Sequence, residues 1–504
     1  MKTICLYFEI HQPIHLKRYR FFDIGKDHYY YDDYENERAT IETATKSYIP
    51  ALRTMLDMAH QYGKDFKVAF SVSGVSLELL EQYAGEVLDL LQQLSETGCV
   101  EFLAEPYSHG LSSLANPDSF RREVKRQAKK IKEMFGVNPK VLRNSSLIYD
   151  DEIGAMAADM GFKGMMVEGA KHILGWKSPH YVYSCAQDSR LSLLLRDYKL
   201  SDDVSLRFNN STWQEYPLMA DKYVGWIASL PEGEEVVNIM MELSAIGIYQ
   251  PLESNILEFL RALPAVGSGK VRFATPSEVI STFKPVGPLE VLCPVSWNDE
   301  ERDTSSGLGN IMQREACAKL YDEKIVGRIL ACRDRRIQQD WDRLQATDNF
   351  RFMTTKNNGM GIYRGIYDSE YDAFTNYMNI LGDFLKRVKD LYSDAVENDE
   401  LNSLYTQITN MGNELQVKDN EISRLRARLE KYEPKVTDDT ESVENSSKKA
   451  EAKTKEAAKP KSAPKKVETK SKEAAKPKSA PKKAEVKPKE TAKTKPATKK
   501  AKSK

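Results

Sequence analysis

The residues able to do chemistry fall at the ends of short apolar runs. Ile4–Ile10 carries Glu9 and leads into His11-Gln12-Pro13. Proline stops a strand's ladder, so a histidine just before it is suited to pointing its imidazole into a cleft; the plain alternative is a core histidine with its hydrogen bonds met. Glu105-Pro106-Tyr107-Ser108-His109 follows Val100–Ala104, Glu168 closes Gly164–Val167, and Asp202-Asp203 comes after Leu191–Leu195. Carboxyl groups and imidazoles can do acid–base work, although two adjacent aspartates also serve as a helix cap or a turn. Glu9, His11 and His109 could in principle ligate a metal, but their spacing is not diagnostic, and no metal or other cofactor is expected. Ser145 and Ser146 lack the Gly-x-Ser-x-Gly setting of a serine hydrolase, and there is no glycine-rich phosphate loop.

These residues need elements to hold them. Apolar runs predict strands at Ile4–Ile10, Phe66–Val72, Val100–Ala104, Val141–Arg143, Gly164–Val167, Leu191–Leu195, Val236–Met241 and Val271–Ala274. Helical periodicity lies between several of them. It runs over Ile41–Tyr62, where Pro50 marks a kink or the true helix start, over Ser76–Leu94, over Pro117–Phe135 and over Asp151–Met160, with Asp150 or Asp151 as N-cap. Alternation of this kind argues for a parallel sheet wrapped by helices in an α/β barrel, whose loops after the strands carry the chemistry. The reading places this barrel at 1–285. From 286 to 395 helical patterns dominate, at Ile311–Leu330, Asp334–Ala346 and Glu370–Leu391. Within 396–433, Leu401–Tyr432 has nine of ten heptad a and d positions apolar. That pattern fits a coiled coil that self-associates or an intrachain helix docked on the body.

The net charge of zero hides a division. Lys448–Lys504 holds 22 Lys and six Glu, a local charge of +16, so the rest carries −16. Residues 434–504 are rich in Lys, Ala and Pro and cannot bury a core, so disorder is expected. Such a tail attracts polyanions without reading sequence, or simply solubilises the chain. No run approaches the ~18 apolar residues of a membrane span, and no signal peptide is read at the N-terminus. The six cysteines form no Cys-x-x-Cys pair and read as reduced core thiols of a cytoplasmic protein.

Val141-Leu142-Arg143-Asn144-Ser145-Ser146-Leu147-Ile148-Tyr149 resembles the nucleophile segment of the glycoside hydrolase family 57 α-amylases. The resemblance runs in order over roughly residues 1–395. It implies an incomplete (β/α)7 barrel followed by a helical domain, and retaining chemistry on α-1,4-glucans or malto-oligosaccharides. It places the nucleophilic glutamate where this chain has Ser146. A serine is essentially un-ionised at neutral pH and supplies no charge to stabilise an oxocarbenium ion. His11-Gln12-Pro13 matches the opening signature, whose histidine contacts sugar. Glu78, in Gly74-Val75-Ser76-Leu77-Glu78, matches a glutamate that binds sugar hydroxyls, or is a solvated residue at a helix start. Glu105, Tyr107 and His109 match the third motif, while Pro106 and Ser108 depart from it. Glu168 matches a binding or structural position. Lys199–Phe208 resembles the acid/base segment, with Asp203 as the acid/base and Asp202 as the alternative. The fifth motif is eroded to Glu242-Leu243-Ser244-Ala245-Ile246-Gly247-Ile248-Tyr249. In Pro294–Asp303, Trp297 and Asp299 match a block that follows the barrel; Trp297 would stack on a sugar or lie in the core. A second tryptophan of the family falls where this chain has Gly307. Three readings follow: a glucan-binding protein with reduced or no hydrolysis, an active amylase or 4-α-glucanotransferase using another carboxylate, and a scaffold acting through the heptad helix and basic tail.

Overall fold

The computed structural model describes residues 1–356 and 365–391, together with Lys418 and Ile422. The rest of the heptad stretch and the Lys-rich tail lie outside the described residues. Ten strands form one sheet: β1 (Lys2–Ile10), β2 (Val68–Val72), β3 (Val100–Phe102), β4 (Val141–Arg143), β5 (Gly164–Glu168), β6 (Val182–Cys185), β7 (Ser192–Arg196), β8 (Val236–Glu242), β9 (Val271–Phe273) and β10 (Pro288–Leu289).

Seven of them close a parallel ring. β1 pairs with β2 and β8, β2 with β3, β4 with β5, and β5 with β7. β7 meets β8 at Arg196 and Asn238, and an isolated parallel bridge from Ala104 to Leu142 joins β3 to β4. β6 runs antiparallel to β7 and pairs in parallel with β10. Alternate residues along each strand face opposite ways. Cys5, Tyr7, Ala69, Leu103, Val141, Met166, Leu194 and Met240 fill the barrel interior. Ile4, Leu6, Phe8 and Ile10 pack outward against helices, among them Ile49–Tyr62. Strands buried on both faces need the near-continuous apolar runs seen in the sequence.

The helices follow their end signals. Asn116 caps Pro117–Phe135, which stops at left-handed Gly136, and Asp150 caps Asp151–Asp159. Pro50 stands in the first turn of Ile49–Tyr62, where its missing N–H costs nothing, after a π-helical turn at Ala44–Tyr48. The expected helix over Ser76–Leu94 is two, Gly74–Tyr83 and Gly85–Glu96, broken at Ala84 (φ −144°, ψ 53°). Ile311–Leu330 likewise divides where Asp322 caps a second helix, Glu323–Ala331. β6 was not foreseen, because Tyr181-Val182-Tyr183-Ser184-Cys185 is short and shows no clear alternation. Cys293 corrects the reading of the cysteines: it is exposed, in an irregular stretch with exposed Leu292, while the other five are buried, and all six are free thiols. Among the described residues, no helix is long and apolar enough to cross a membrane.

After the barrel come the helices Ile311–Leu320, Glu323–Ala331, Arg335–Leu344, Thr347–Arg351 and Glu370–Leu391. The junction between Arg335–Leu344 and Thr347–Arg351 reaches onto the ends of the strands. Gly110 bridges Ala346, and the Thr347 N–H donates to the His109 carbonyl at 3.0 Å.

Candidate active-site cleft

The carboxyl ends of the parallel strands bring together two clusters, each built around a buried arginine. Arg143, the last residue of β4, is fully buried. Its Nη1 lies 2.5 Å from Glu9 Oε1 and 3.4 Å from both Glu105 Oε2 and His109 Nδ1. Glu9 is near the end of β1 and Glu105 follows β3, so β1, β3 and β4 aim side chains from their carboxyl ends at one point. Tyr7, Ser71 and Glu105 form a chain behind it: Ser71 Oγ donates to Glu105 Oε2 at 2.9 Å and lies 2.7 Å from Tyr7 Oη.

Burial raises the pKa of Glu9 and Glu105, and the Arg143 charge pulls each part of the way back. Burial, reinforced by the charges of His11 and Arg143, holds His109 well below the usual imidazole range. His109 Nδ1 lies 3.4 Å from Arg143 Nη1 and 3.3 Å from Glu9 Oε1. Its backbone sits at φ 54°, a conformation uncommon outside glycine. Glu9, Glu105 and His109 place their donor atoms within 4.8 Å of one another, close enough to share a cation. The cation among them is the Arg143 guanidinium.

The second cluster spans β5, β7 and the block after the barrel. Arg196 donates from Nε to the Met240 carbonyl at 2.8 Å and from Nη2 to Asp202 Oδ1 at 2.5 Å, and its Nη1 lies 3.3 Å from Glu168 Oε2. Arg302 donates to Asp202 Oδ2 at 2.9 Å and to the Trp297 carbonyl at 2.8 Å, with its Nε 3.8 Å from Glu168 Oε1. Burial pushes Glu168 up to about 7 against the pull of Arg196 and Arg302. Trp297 joins the clusters: the Arg143 and Arg196 guanidinium carbons lie 5.0 and 5.5 Å from its ring centroid. The indole also rests on the apolar barrel interior.

Ser146 lies beneath Trp297. Its carbonyl accepts from the Trp297 N–H at 3.1 Å and from Ser296 Oγ at 3.0 Å. Ser146 and Leu147 both take left-handed backbone, at φ 53° and 52°. Asn144 fastens the turn by accepting from the Ser145 N–H and donating to Ser113 Oγ and the Ile148 carbonyl.

The other expected residues divide. His11 stacks on His109 with ring centroids 3.9 Å apart, and both its nitrogens are engaged, Nδ1 with Ser73 Oγ at 2.8 Å and Nε2 with Asp348 Oδ2 at 2.9 Å. Burial raises Asp348, but the His11 charge and hydrogen bond outweigh it and bring the carboxyl below the usual range. Gln12 is turned toward Tyr48 and donates to its hydroxyl at 3.0 Å. Glu78 leaves this group. It accepts from Tyr107 Oη at 2.8 Å and from Arg343 Nη2 at 3.0 Å, which fastens the barrel to the helices beyond it. Gly74, at the start of that helix, is obligatory: a Cβ there would come within 2.3 Å of the Tyr107 ring.

Asp202 faces the arginines, whereas Asp203 accepts from Arg207 Nε at 2.7 Å, about 100° further round the same helix. Burial raises Asp203 above the ordinary carboxylate range. Asp299 accepts from the Arg302 N–H at 3.1 Å and lies 3.6 Å from Lys356 Nζ. Reading the sequence passed over Arg143, Arg196, Arg302 and Asp348 as site residues. For the first two the signal was present: a charged residue closing an apolar parallel strand belongs to the face where barrels do their chemistry.

The strand ends of this parallel barrel gather buried carboxyls, histidines and an indole. Comparison with known proteins fixes the family. The profile of Glycosyl hydrolase family 57 matches residues 5–291. A Methanocaldococcus jannaschii protein described as "Putative alpha-amylase" is 36% identical over 410 residues, covering 77% of this chain and 85% of that relative. The chain belongs to glycosyl hydrolase family 57. Two solved structures share its fold. The branching enzyme from Thermococcus kodakaraensis superposes with a TM-score of 0.58 at 14% identity, over 81% of this chain and 94% of that one. The 4-alpha-glucanotransferase from Thermococcus litoralis gives 0.53 at 15%, over 76% of this chain and 59% of that longer one.

Proposed function

We propose that this amylase-like protein binds α-1,4-glucan chains in the cleft beside Trp297 and hydrolyses them weakly or not at all. The observation that carries the reading is Ser146. At the position that the family resemblance gives to the nucleophile stands a neutral side chain, on a turn locked to Trp297 and Ser296. Retaining hydrolysis needs a carboxylate there, about 5–5.5 Å from its partner. The carboxyls that could stand in for a nucleophile are otherwise engaged: Glu9 and Glu105 with Arg143, Glu168 with Arg196. Of the aspartate pair, Asp202 meets the cleft's arginines, so the acid/base position is read there in preference to Asp203. The competing reading, turnover through another carboxylate, would draw on Glu9 and Glu105, whose donor atoms lie within 4.8 Å of each other. Their burial against Arg143 speaks against it.

End-labelled maltoheptaose tests the reading with the wild type and Ser146→Glu. The expected result is binding without cleavage by the wild type and cleavage by the variant. Cleavage by the wild type would overturn the nucleophile argument. No binding by the wild type would leave the barrel a scaffold.

A further inference from the structure

β8 ends at Glu242, paired in register with Glu9. Two residues earlier in the same register Tyr7 is paired with Met240, and both lie in the barrel interior. Glu9 and Glu242 therefore lie on that same side, one layer higher, at the mouth. Glu9 is buried against Arg143, whereas Glu242 is only partly buried. Glu242 Oε2 accepts from Ser244 Oγ at 3.0 Å and from Tyr249 Oη at 3.3 Å. Tyr249 is 42% exposed, so its hydroxyl is fastened to the mouth while much of its ring stands in solvent.

The turn that carries Tyr249 is fixed on both flanks. On one, Gly247 takes φ 97° and passes so close to Ala44–Tyr48 that a Cβ would come within 2.0 Å of the Lys46 carbonyl oxygen, and Ser47 Oγ donates to the Leu243 carbonyl at 3.0 Å. Within the turn, the N–H groups of Ile248 and Tyr249 donate to the Ser244 carbonyl at 3.2 and 3.3 Å, and that of Gln250 to the Ala245 carbonyl at 2.9 Å. On the other flank, buried Gln250 donates to the Ser205 carbonyl at 2.8 Å and accepts from the Asn209 N–H at 2.9 Å. Ser205 ends the helix Tyr198–Ser205, which brings Asp202 to Arg196. The turn thus lies between the end of β8 and the helix of Asp202, and its own bonds set Tyr249 on the rim of the cleft. An aromatic ring with a carboxylate at its edge offers a pyranose a flat apolar face and an acceptor for a hydroxyl. A ring already held in place also loses little freedom when a ligand stacks on it.

We infer that Tyr249 is a stacking platform for a sugar residue of an α-glucan on the β8 side of the mouth, with Glu242 the acceptor for a hydroxyl of that sugar. The inference rests on the glucan-binding reading above. A tyrosine kept for stability alone would act through its hydroxyl bond, whereas a platform acts through its ring. Full-length wild type, Tyr249→Ala and Tyr249→Phe would be titrated calorimetrically with maltoheptaose. The expected result is that Tyr249→Ala weakens binding about tenfold, a loss of ~1.4 kcal/mol, and that Tyr249→Phe largely restores it. In the wild type itself, maltoheptaose should protect Tyr249 from nitration by tetranitromethane, read by peptide mass, which needs no variant to fold. If the wild type binds and Tyr249→Ala binds as before, or Tyr249→Phe loses as much as Tyr249→Ala, or nitration of Tyr249 is unchanged by the sugar, the platform is overturned and the cleft reading stands. If the wild type does not bind maltoheptaose, the cleft reading falls and takes the platform with it.

Discussion

Around Arg196 every guanidinium nitrogen has an acceptor: the Met240 carbonyl, Glu168 and Asp202. Around Arg143 the arrangement is looser. Nη1 serves Glu9 and Glu105, while Nε, Nη2 and Glu105 Oε1 are buried without a hydrogen-bond partner among the described residues; around Arg196 the one such atom is Glu168 Oε1. Both arginines lie against Trp297, in one barrel, at comparable depth. The difference teaches which half is framework. Buried polar groups in native proteins are nearly always satisfied, and those left over mark places where something else is to be met. The Arg196 side holds β5, β7 and the Trp297 block in register. The Arg143 side keeps unspent hydrogen-bonding capacity on its own guanidinium, at Nε and Nη2.

The contrast can be broken or sharpened by experiment. In the Ser146→Glu protein, Asp202→Asn should lower turnover about 10²–10⁴-fold, as removal of a general acid does, and Asp203→Asn less than about tenfold. The reverse order in maltoheptaose assays would return the acid/base role to Asp203. Arg196→Met should cost roughly 3–5 kcal/mol in urea unfolding, because it strands Glu168 and Asp202. Arg143→Met should cost less than Arg196→Met in the same titration, because Glu9 and Glu105, both raised by burial, can hold protons instead of standing as stranded charges. An equal loss for the two variants would erase the distinction between the two halves.

His180 gives a third comparison. Burial lowers its pKa, but the bonds to Asp197 and Glu234 outweigh burial and raise it. A raised imidazole contributes stability that is present below the unfolded value and disappears as pH rises through the folded one. His180→Gln should therefore lower stability by roughly 1.5–3 kcal/mol at pH 5.5 and by much less at pH 9, read as melting temperatures. The smallest effect is a slope. The raised Glu9 binds its proton more tightly when folded, so it makes stability fall as pH rises above the ordinary carboxylate range. Glu9→Gln should flatten that part of the stability–pH curve, and an unchanged slope would assign the proton elsewhere.

Much of the cleft was legible because barrel chemistry stands at strand ends, and strand ends are visible in sequence. His11, Glu105, His109 and Glu168 stand at or a few residues after the ends of apolar runs, and the family resemblance singled them out. The pairings were not legible. Glu105 and Arg143 are 38 positions apart, and Asp202 and Arg302 are 100 apart, so no local pattern links them. Glu78 shows the converse failure. The family resemblance gives it a sugar hydroxyl and its helix-start position gives it solvent, and only the fold reveals Arg343, 265 positions later, as its partner. β6 escaped because four residues of mixed polarity, running against their neighbour, carry no periodicity to read.

The bond from His11 to Asp348 crosses 337 positions of chain. At about 5–20 residues per second of synthesis, the histidine exists for roughly 20–70 s before its aspartate is made. All seven ring strands are complete by Glu242, so the ribosome delivers a barrel first and the clasp over its mouth afterwards. For that interval the His11–His109 stack lacks the Asp348 carboxylate and the Thr347 N–H that later fix it.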